Sequence, residues 1–156
     1  MSKYQAIVKA PGFNIGICCN DEITLIDYLP PGPEQAPKTP LAKEAVRQLR
    51  AYLKNPAFVF SLPLAAAGTH FQRKVWDQIA DIPPGHTTSY GELAKAIKSA
   101  PRAVGGACGA NPYPVIVPCH RVIAAGGGLG GFARQRGGHL LDIKSWLLEH
   151  EHPLTG

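Results

Sequence analysis

Cys119, His120 and Arg121 stand in line inside an apolar run, with Pro114-Val-Ile-Val-Pro118 before them and Val122-Ile123 after. A thiol, an imidazole and a guanidinium all resist burial without partners. Placed together they suit nucleophilic chemistry at sulfur, because positive surroundings favour thiolate over a free cysteine pKa of about 8.5. The β-branched Val115, Ile116, Val117 and Val122 predict extended, mostly buried backbone on either side. Pro118 lacks a donor and holds Val117 extended, so the strand should break at the cysteine. Strand neighbours point to opposite faces, so His120 reaches the sulfur only through a turn or a bridging water.

The elements that must position this trio fall into two stretches. Lys3–Ala10, Phe13–Asn20 and Glu22–Leu29 read as short strands joined by Pro11-Gly12 and Asn20-Asp21, a meander of hairpins. After the loop Pro30-Pro31-Gly32-Pro33, Thr39-Pro40 starts a helix with Thr39 as cap. Ala42, Ala45, Val46, Leu49, Tyr52 and Leu53 recur at helical spacing to about Lys54, where Asn55-Pro56 stops them. Phe58–Leu62 is expected as an edge strand. Cys18 and Cys19, adjacent in an apolar strand, read as buried or half-buried thiols.

The connector Pro63–Gly68 marks a domain boundary. Beyond it, Thr69-His70-Phe71-Gln72 and Ser89-Tyr90-Gly91-Glu92 are two capping boxes, each opening a helix. The first turns Phe71, Val75, Trp76, Ile79 and Ile82 inward; the second, shorter, turns Leu93, Ala94 and Ile97 inward. A third helix enters after Pro101. Short helices at tight turns suggest a helix-turn-helix. The third helix holds Ala103, Gly105, Gly106, Ala107, Gly109 and Ala110. Each glycine costs a helix roughly 1 kcal/mol, so close approach of either another element or a DNA groove has to offset it.

The 156 residues carry a net charge of +5 with 45% hydrophobic residues, which fits a globular protein and an acidic partner, nucleic acid first. A merely basic soluble protein is the plain alternative. No apolar leader and no run of roughly 20 apolar residues is present, so no membrane span is expected. Four cysteines (Cys18, Cys19, Cys108, Cys119) show neither metal spacing nor a disulfide framework, which points to a reducing cytoplasm. No metal and no cofactor are expected. Gly126-Gly127-Gly128 is a turn and not a phosphate loop, because no Lys-Ser/Thr follows.

In order, Tyr90-Gly-Glu-Leu-Ala94, Arg102-Ala-Val-Gly-Gly-Ala107, Asn111-Pro112, Pro118-Cys-His-Arg-Val122 and Trp146-Leu-Leu148 with Glu151 resemble the 6-O-alkylguanine-DNA alkyltransferase family, the methylated-DNA–protein-cysteine methyltransferases. The resemblance runs from about Thr69 to Glu151. It implies that Cys119 is the acceptor of an alkyl group from O6 of guanine in duplex DNA, held as a permanent thioether. It implies that His120 acts on the thiol through a water, that Glu151 orients His120, and that Asn111 braces the turn. Tyr90 would supply a proton to the leaving base, and Arg102 would fill the gap left by a flipped nucleotide. Ser89, Tyr90, Gly91, Ala103, Gly105, Gly106 and Ala125 would join Arg102 on the DNA, the small-residue helix entering the minor groove. Backbone of Cys119 and Val122, with Pro114, Cys108 and the loop Gly127–Ala133 (Phe132 and Ala133 above all), would form the base pocket.

The sequence departs from that family in three ways. Ala133 stands where relatives often carry serine, and Phe132 where they carry tyrosine, removing a hydroxyl near guanine O6. Arg134–His139 is an insertion whose arginines lean toward phosphate contacts. Cys18 and Cys19 lack a nearby histidine, so the structural zinc of some relatives is not expected. The predicted fold is a small α/β domain over 1–65, an antiparallel sheet with a helix, then an α-helical, winged helix-turn-helix-like domain over 66–156. The expected protein is a monomer that repairs O6-alkylguanine, with O4-alkylthymine as a further lesion, once per chain. Two other readings stay open: a recognition module for alkylated DNA without chemistry, and a thiol redox protein, the latter disfavoured because no partner thiol is in view.

Overall fold

The computed structural model describes residues 3–124 and 139–154. The chain divides into two compact units, Met1–Ala66 and Ala67–Gly156. Ala125, the loop 127–133 with Phe132 and Ala133, and the insertion up to residue 138 lie outside the described residues.

The first unit is a meander, β1 (Ala6–Ala10), β2 (Phe13–Cys19) and β3 (Ile23–Leu29), antiparallel and in sequence order. Gly12 makes the first turn at φ +83°, a conformation glycine adopts without a Cβ penalty. The register sets Val8 opposite Ile15 and Ile17 opposite Ile26, so one face carries the buried aliphatics. On the other face Tyr4 lies so close to Gly16 that a Cβ there would sit 2.7 Å from its ring. The central strand is therefore covered on both sides.

Helix α1 (Pro40–Lys54) packs on β1 and β2 and buries Ala42, Ala45, Val46, Leu49 and Tyr52. Thr39 Oγ1 accepts the Ala42 N–H at 3.1 Å, and Pro40 fills the first turn, where no donor is needed. Cys18 and Cys19 are half-buried and separately engaged, Cys18 Sγ 3.7 Å from the Lys3 carbonyl and Cys19 Sγ 3.7 Å from Thr39 Oγ1.

Phe58–Leu62 is not a strand. Its backbone is taken up instead by a side chain: buried Gln48 accepts the Ser61 N–H at 2.9 Å and donates to the Ser61 carbonyl at 3.2 Å. Sheet pairing begins only at a parallel bridge between Ile23 and Leu64. Side-chain capture by α1 outcompetes the ladder that alternating Phe58, Phe60 and Leu62 would suggest.

The second unit holds α2 (His70–Ala80), β4 (Thr88–Ser89), α3 (Tyr90–Ala96), α4 (Pro101–Gly109), β5 (Val122–Ile123) and α5 (His139–Glu151). Thr69 and Gln72 form the reciprocal capping box at the start of α2. Ser89 Oγ accepts the Glu92 N–H at 3.0 Å and opens α3. Val75, Trp76 and Ile79 of α2 are buried, while Phe71 and Ile82 are only half-buried. Trp76 Nε1 donates to the Ala107 carbonyl at 2.9 Å, fixing α2 against α4 through a buried polar bond.

Helix α4 buries Val104 and Ala107 and leaves Arg102, Ala103 and Gly106 exposed. A Cβ built at Gly105 or Gly106 would meet nothing within 4 Å. Among the described residues, no other element packs closely enough on these two glycines to account for them.

Backbone before the cysteine is not extended either. Residues 114–116 form a turn, closed by the Val117 N–H donating to the Tyr113 carbonyl at 2.8 Å. Val115 sits at φ +72° with 2% of its surface exposed. A β-branched residue in that region is strained by about 1–3 kcal/mol, so its surroundings must hold it there. The run 115–117 is β-branched for burial, not for pairing. Only Val122–Ile123 pairs, in parallel with Thr88–Ser89.

Candidate active site

Asn111 is the staple of the irregular segment. Its Oδ1 accepts the Tyr113 N–H at 2.9 Å, and its Nδ2 donates to the Val117 carbonyl at 2.8 Å and to Cys119 Sγ at 3.2 Å. One amide thus spans the turn that contains strained Val115 and ends on the thiol. Cys119–Arg121 then form a single 3-10 turn, with the Arg121 N–H donating to the Pro118 carbonyl at 2.9 Å. That tight turn sends Cys119 to Asn111 and turns both His120 and Arg121 onto Glu151, where neighbours on a strand would face opposite ways.

His120 is fully buried, and its Nε2 lies 2.8 Å from Glu151 Oε2. Glu151 closes α5, where a carboxylate opposes the helix dipole. Arg121 more than offsets this: Nε donates to Glu151 Oε1 at 2.8 Å and Nη2 to Oε2 at 2.9 Å, while Nη1 donates to the Ile82 carbonyl at 2.7 Å. Arg121 is thus a structural donor, to a carboxylate as well as to a backbone carbonyl. Such a bidentate pair is the strong form of a charged hydrogen bond, and removing one partner of a buried pair of this kind costs about 3–5 kcal/mol.

Burial lowers the His120 pKa from its ordinary value, and the Glu151 contact opposes that shift without overturning it. The imidazole is therefore neutral near pH 7. Its Nδ1 is buried and makes no hydrogen bond among the described residues. A neutral ring whose second nitrogen is unengaged can take up a proton, and the carboxylate at Nε2 would stabilise the charge.

The thiol itself departs from expectation. A hydrogen bond with Cys108, then burial, push the Cys119 pKa well above the ordinary thiol value; Asn111 and the Lys144 charge pull the other way and do not win. Arg121 gives no thiolate stabilisation, since Glu151 occupies its fork. In the DNA-free protein Cys119 is a protonated thiol. Cys108, half-buried on α4, is the neighbour that does most to raise its pKa.

Lys144 is the residue that the sequence reading passed over. It is fully buried on α5, with Nζ donating to the Val122 carbonyl at 2.9 Å and to Tyr90 Oη at 3.5 Å, 5.7 Å above the Tyr90 ring. Burial pushes its pKa down to about 8. A lysine flanked by Ile143 and Leu147 in the buried stripe of a helix was the available signal, since lysine is almost never fully buried unless paired.

Asn111 reaches the Cys119 sulfur, His120 next to it in the chain pairs with Glu151, and Tyr90, Val122 and Lys144 form a second cluster. Pro114 is half-buried in the turn. Ser89 and Gly91 flank Tyr90 at the start of α3, with the Ser89 hydroxyl committed to its cap. Arg102 and Ala103 lie on the exposed side of α4, with Gly106 beside them. Among the described residues no group of three or more His, Cys, Asp or Glu could hold a metal ion. No described helix is long and apolar enough to cross a membrane.

The family model for the DNA-binding domain of 6-O-methylguanine DNA methyltransferase matches residues 70–153. The methylated-DNA–protein-cysteine methyltransferase of Methanosarcina mazei is 40% identical over 158 residues, spanning 95% of this chain and 96% of that protein. The Methanosarcina acetivorans protein of the same name is 49% identical over 111 residues, 70% of this chain and 68% of that one. Among solved structures, Mycobacterium tuberculosis OGT in complex with DNA superposes with a TM-score of 0.80 at 35% identity, covering 94% of this chain and 91% of that one. The thiol turn, the small-residue helix α4 and the glutamate that grips His120 all fall within the matched stretch. This chain belongs to the family of the methylated-DNA–protein-cysteine methyltransferases.

Proposed function

We propose that this protein repairs O6-alkylguanine in duplex DNA by moving the alkyl group, once and irreversibly, onto Cys119. The observation that carries the reading is a buried imidazole–carboxylate pair next in the chain to a held thiol: His120 meets Glu151 at 2.8 Å, and Asn111 holds Cys119 Sγ at 3.2 Å. When the lesion arrives, the Cys119 proton passes to neutral His120 through a water, and Glu151 stabilises the imidazolium. Sulfur then bonds the alkyl carbon as the carbon–O6 bond breaks and its electron pair moves onto guanine. A soft thiolate suits attack at saturated carbon. The leaving base needs a proton, which Tyr90 supplies to a ring nitrogen. Lys144, within hydrogen-bond reach of Tyr90 Oη, stabilises the phenolate left behind. A thioether has no ready reverse, so one chain repairs one base.

The lesion is hidden in the duplex, so the nucleotide must be flipped, at a few kcal/mol of unstacking. In this proposal α3 and α4 act as the helix-turn-helix of a winged domain, and the open face at Ala103, Gly105 and Gly106 supports close approach to a minor groove. Arg102 fills the vacated space. Ser89 and Gly91 belong to the DNA face, and Ala125 is assigned there from the family resemblance. Cys108, Pro114, Val122, Phe132 and Ala133 bound the base pocket. The proposed protein acts as a cytoplasmic monomer, with O4-alkylthymine as a second lesion.

Cys119→Ser tests the core of this. It should remove transfer altogether and leave affinity for lesion-bearing duplex within about twofold, since hydroxyl for thiol leaves the turn intact. Transfer persisting in that variant would move the acceptor elsewhere.

A further inference from the structure

A groove of about 910 Å³ lies in the first unit, between α1 and the end of β1. Ala10, Pro11, Pro37, Val46, Ala51 and Leu53 give it an apolar lining, of which only Pro11 is exposed. Lys9, Lys43, Arg47, Arg50 and Lys54 line it too, and all five are exposed. The cations therefore stand around an apolar floor. The four on α1 recur at i, i+4, i+7 and i+11, one stripe that runs about 16 Å at the helical rise of about 1.5 Å per residue. Arg47 and Arg50 are held by Glu44 and Glu34, at 2.6 and 3.4 Å. Lys9, Lys43 and Lys54 make no ion pair among the described residues. Positive charge around the groove thus exceeds the carboxylates that reach it.

We propose that this groove is a docking surface for an acidic amphipathic segment of a partner protein, with apolar side chains every third or fourth residue among aspartates and glutamates. Opposite charge steers and orients such a segment, and burying its apolar side chains on the floor supplies affinity. The lengths agree, since a helix of about 11 residues covers the stripe. Nucleic acid fits less well. Duplex phosphates would meet the cations but leave the apolar floor wet. Single strands stack their bases on aromatic rings, and no aromatic residue lines this groove. A second copy of the chain carries +5 itself and would bring net like charge. The lining contains no residue of the thiol turn, α3 or α4, so docking here is separable from alkyl transfer.

The probe is a fluorescein-labelled peptide of about 15 residues, with leucine or phenylalanine at i, i+3, i+4 and i+7 among glutamates and aspartates. Its anisotropy, titrated with full-length protein, should show saturable one-to-one binding that weakens with salt. Polyglutamate of equal charge should bind at least tenfold more weakly, because it has no apolar surface to bury. Lys43→Glu combined with Lys54→Glu should weaken probe binding at least tenfold. So should Ala51→Glu, which sets a carboxylate into the apolar floor; circular dichroism checks that both variants fold. No saturable binding of the probe, equal binding of polyglutamate, or affinity unchanged in the variants would each overturn the inference. A loss of affinity for undamaged duplex DNA as large as the loss for the peptide would overturn it in favour of DNA. A dimer at assay concentration, broken by the same substitutions, would overturn it in favour of a second copy.

Discussion

Sulfur acidity and sulfur reactivity part company at Cys119. The neighbouring Cys108 and the loss of water both favour S–H over thiolate at Cys119, so at neutral pH the resting protein holds a poor nucleophile beside a ready base. The sign of the pH dependence follows. The folded state holds this proton more tightly than the unfolded state, so the contribution to stability is full below the ordinary thiol value of 9.0 and is lost as pH rises past it. Alkylation of the DNA-free protein by iodoacetamide, followed at the Cys119 peptide, should climb through pH 9 without levelling off. A plateau reached by about pH 8 would mean a thiolate primed before substrate arrives. The sequence made Cys119, His120 and Glu151 legible, because a polar trio inside a valine-rich run and an acid at a helix C-terminus both call for partners. It did not show Lys144 against Tyr90, since that contact depends on how separate elements pack.

At the scale of elements, the helices and the meander follow from periodicity and caps: Thr39, Thr69 and Ser89 each satisfy the helix donors their positions predict. Residues 114–117 escape that logic. Three β-branched neighbours favour a strand, but Pro112, Pro114 and Pro118 withdraw donors and Asn111 captures what remains, so local bonds override propensity. Helix α4 shows the opposite tension, poor helix formers kept where nothing presses on them. Gly105→Ala and Gly106→Ala should each raise unfolding stability by about 0.5–1 kcal/mol in urea titrations, because the added methyl meets open space. The same variants should weaken binding to duplex DNA at least several-fold. Unchanged affinity in both would remove α4 from the groove.

For the whole molecule, the net charge of +5 suits a polyanionic partner but does not say which face meets it. The antiparallel sheet with α1 and the helical unit around the thiol were each readable in outline from their different hydrophobic periods. The sheet-bearing unit shows no counterpart to the buried His120–Glu151–Arg121 cluster among its described residues, and the chemistry proposed here draws on the second unit alone. The most direct test of that chemistry weighs the protein after reaction with excess duplex DNA carrying a single O6-methylguanine. The account predicts the addition of one methyl group per chain, located on the Cys119 peptide and not rising with more DNA. Tight binding with no change in mass, or a methyl found on any other residue, would contradict it.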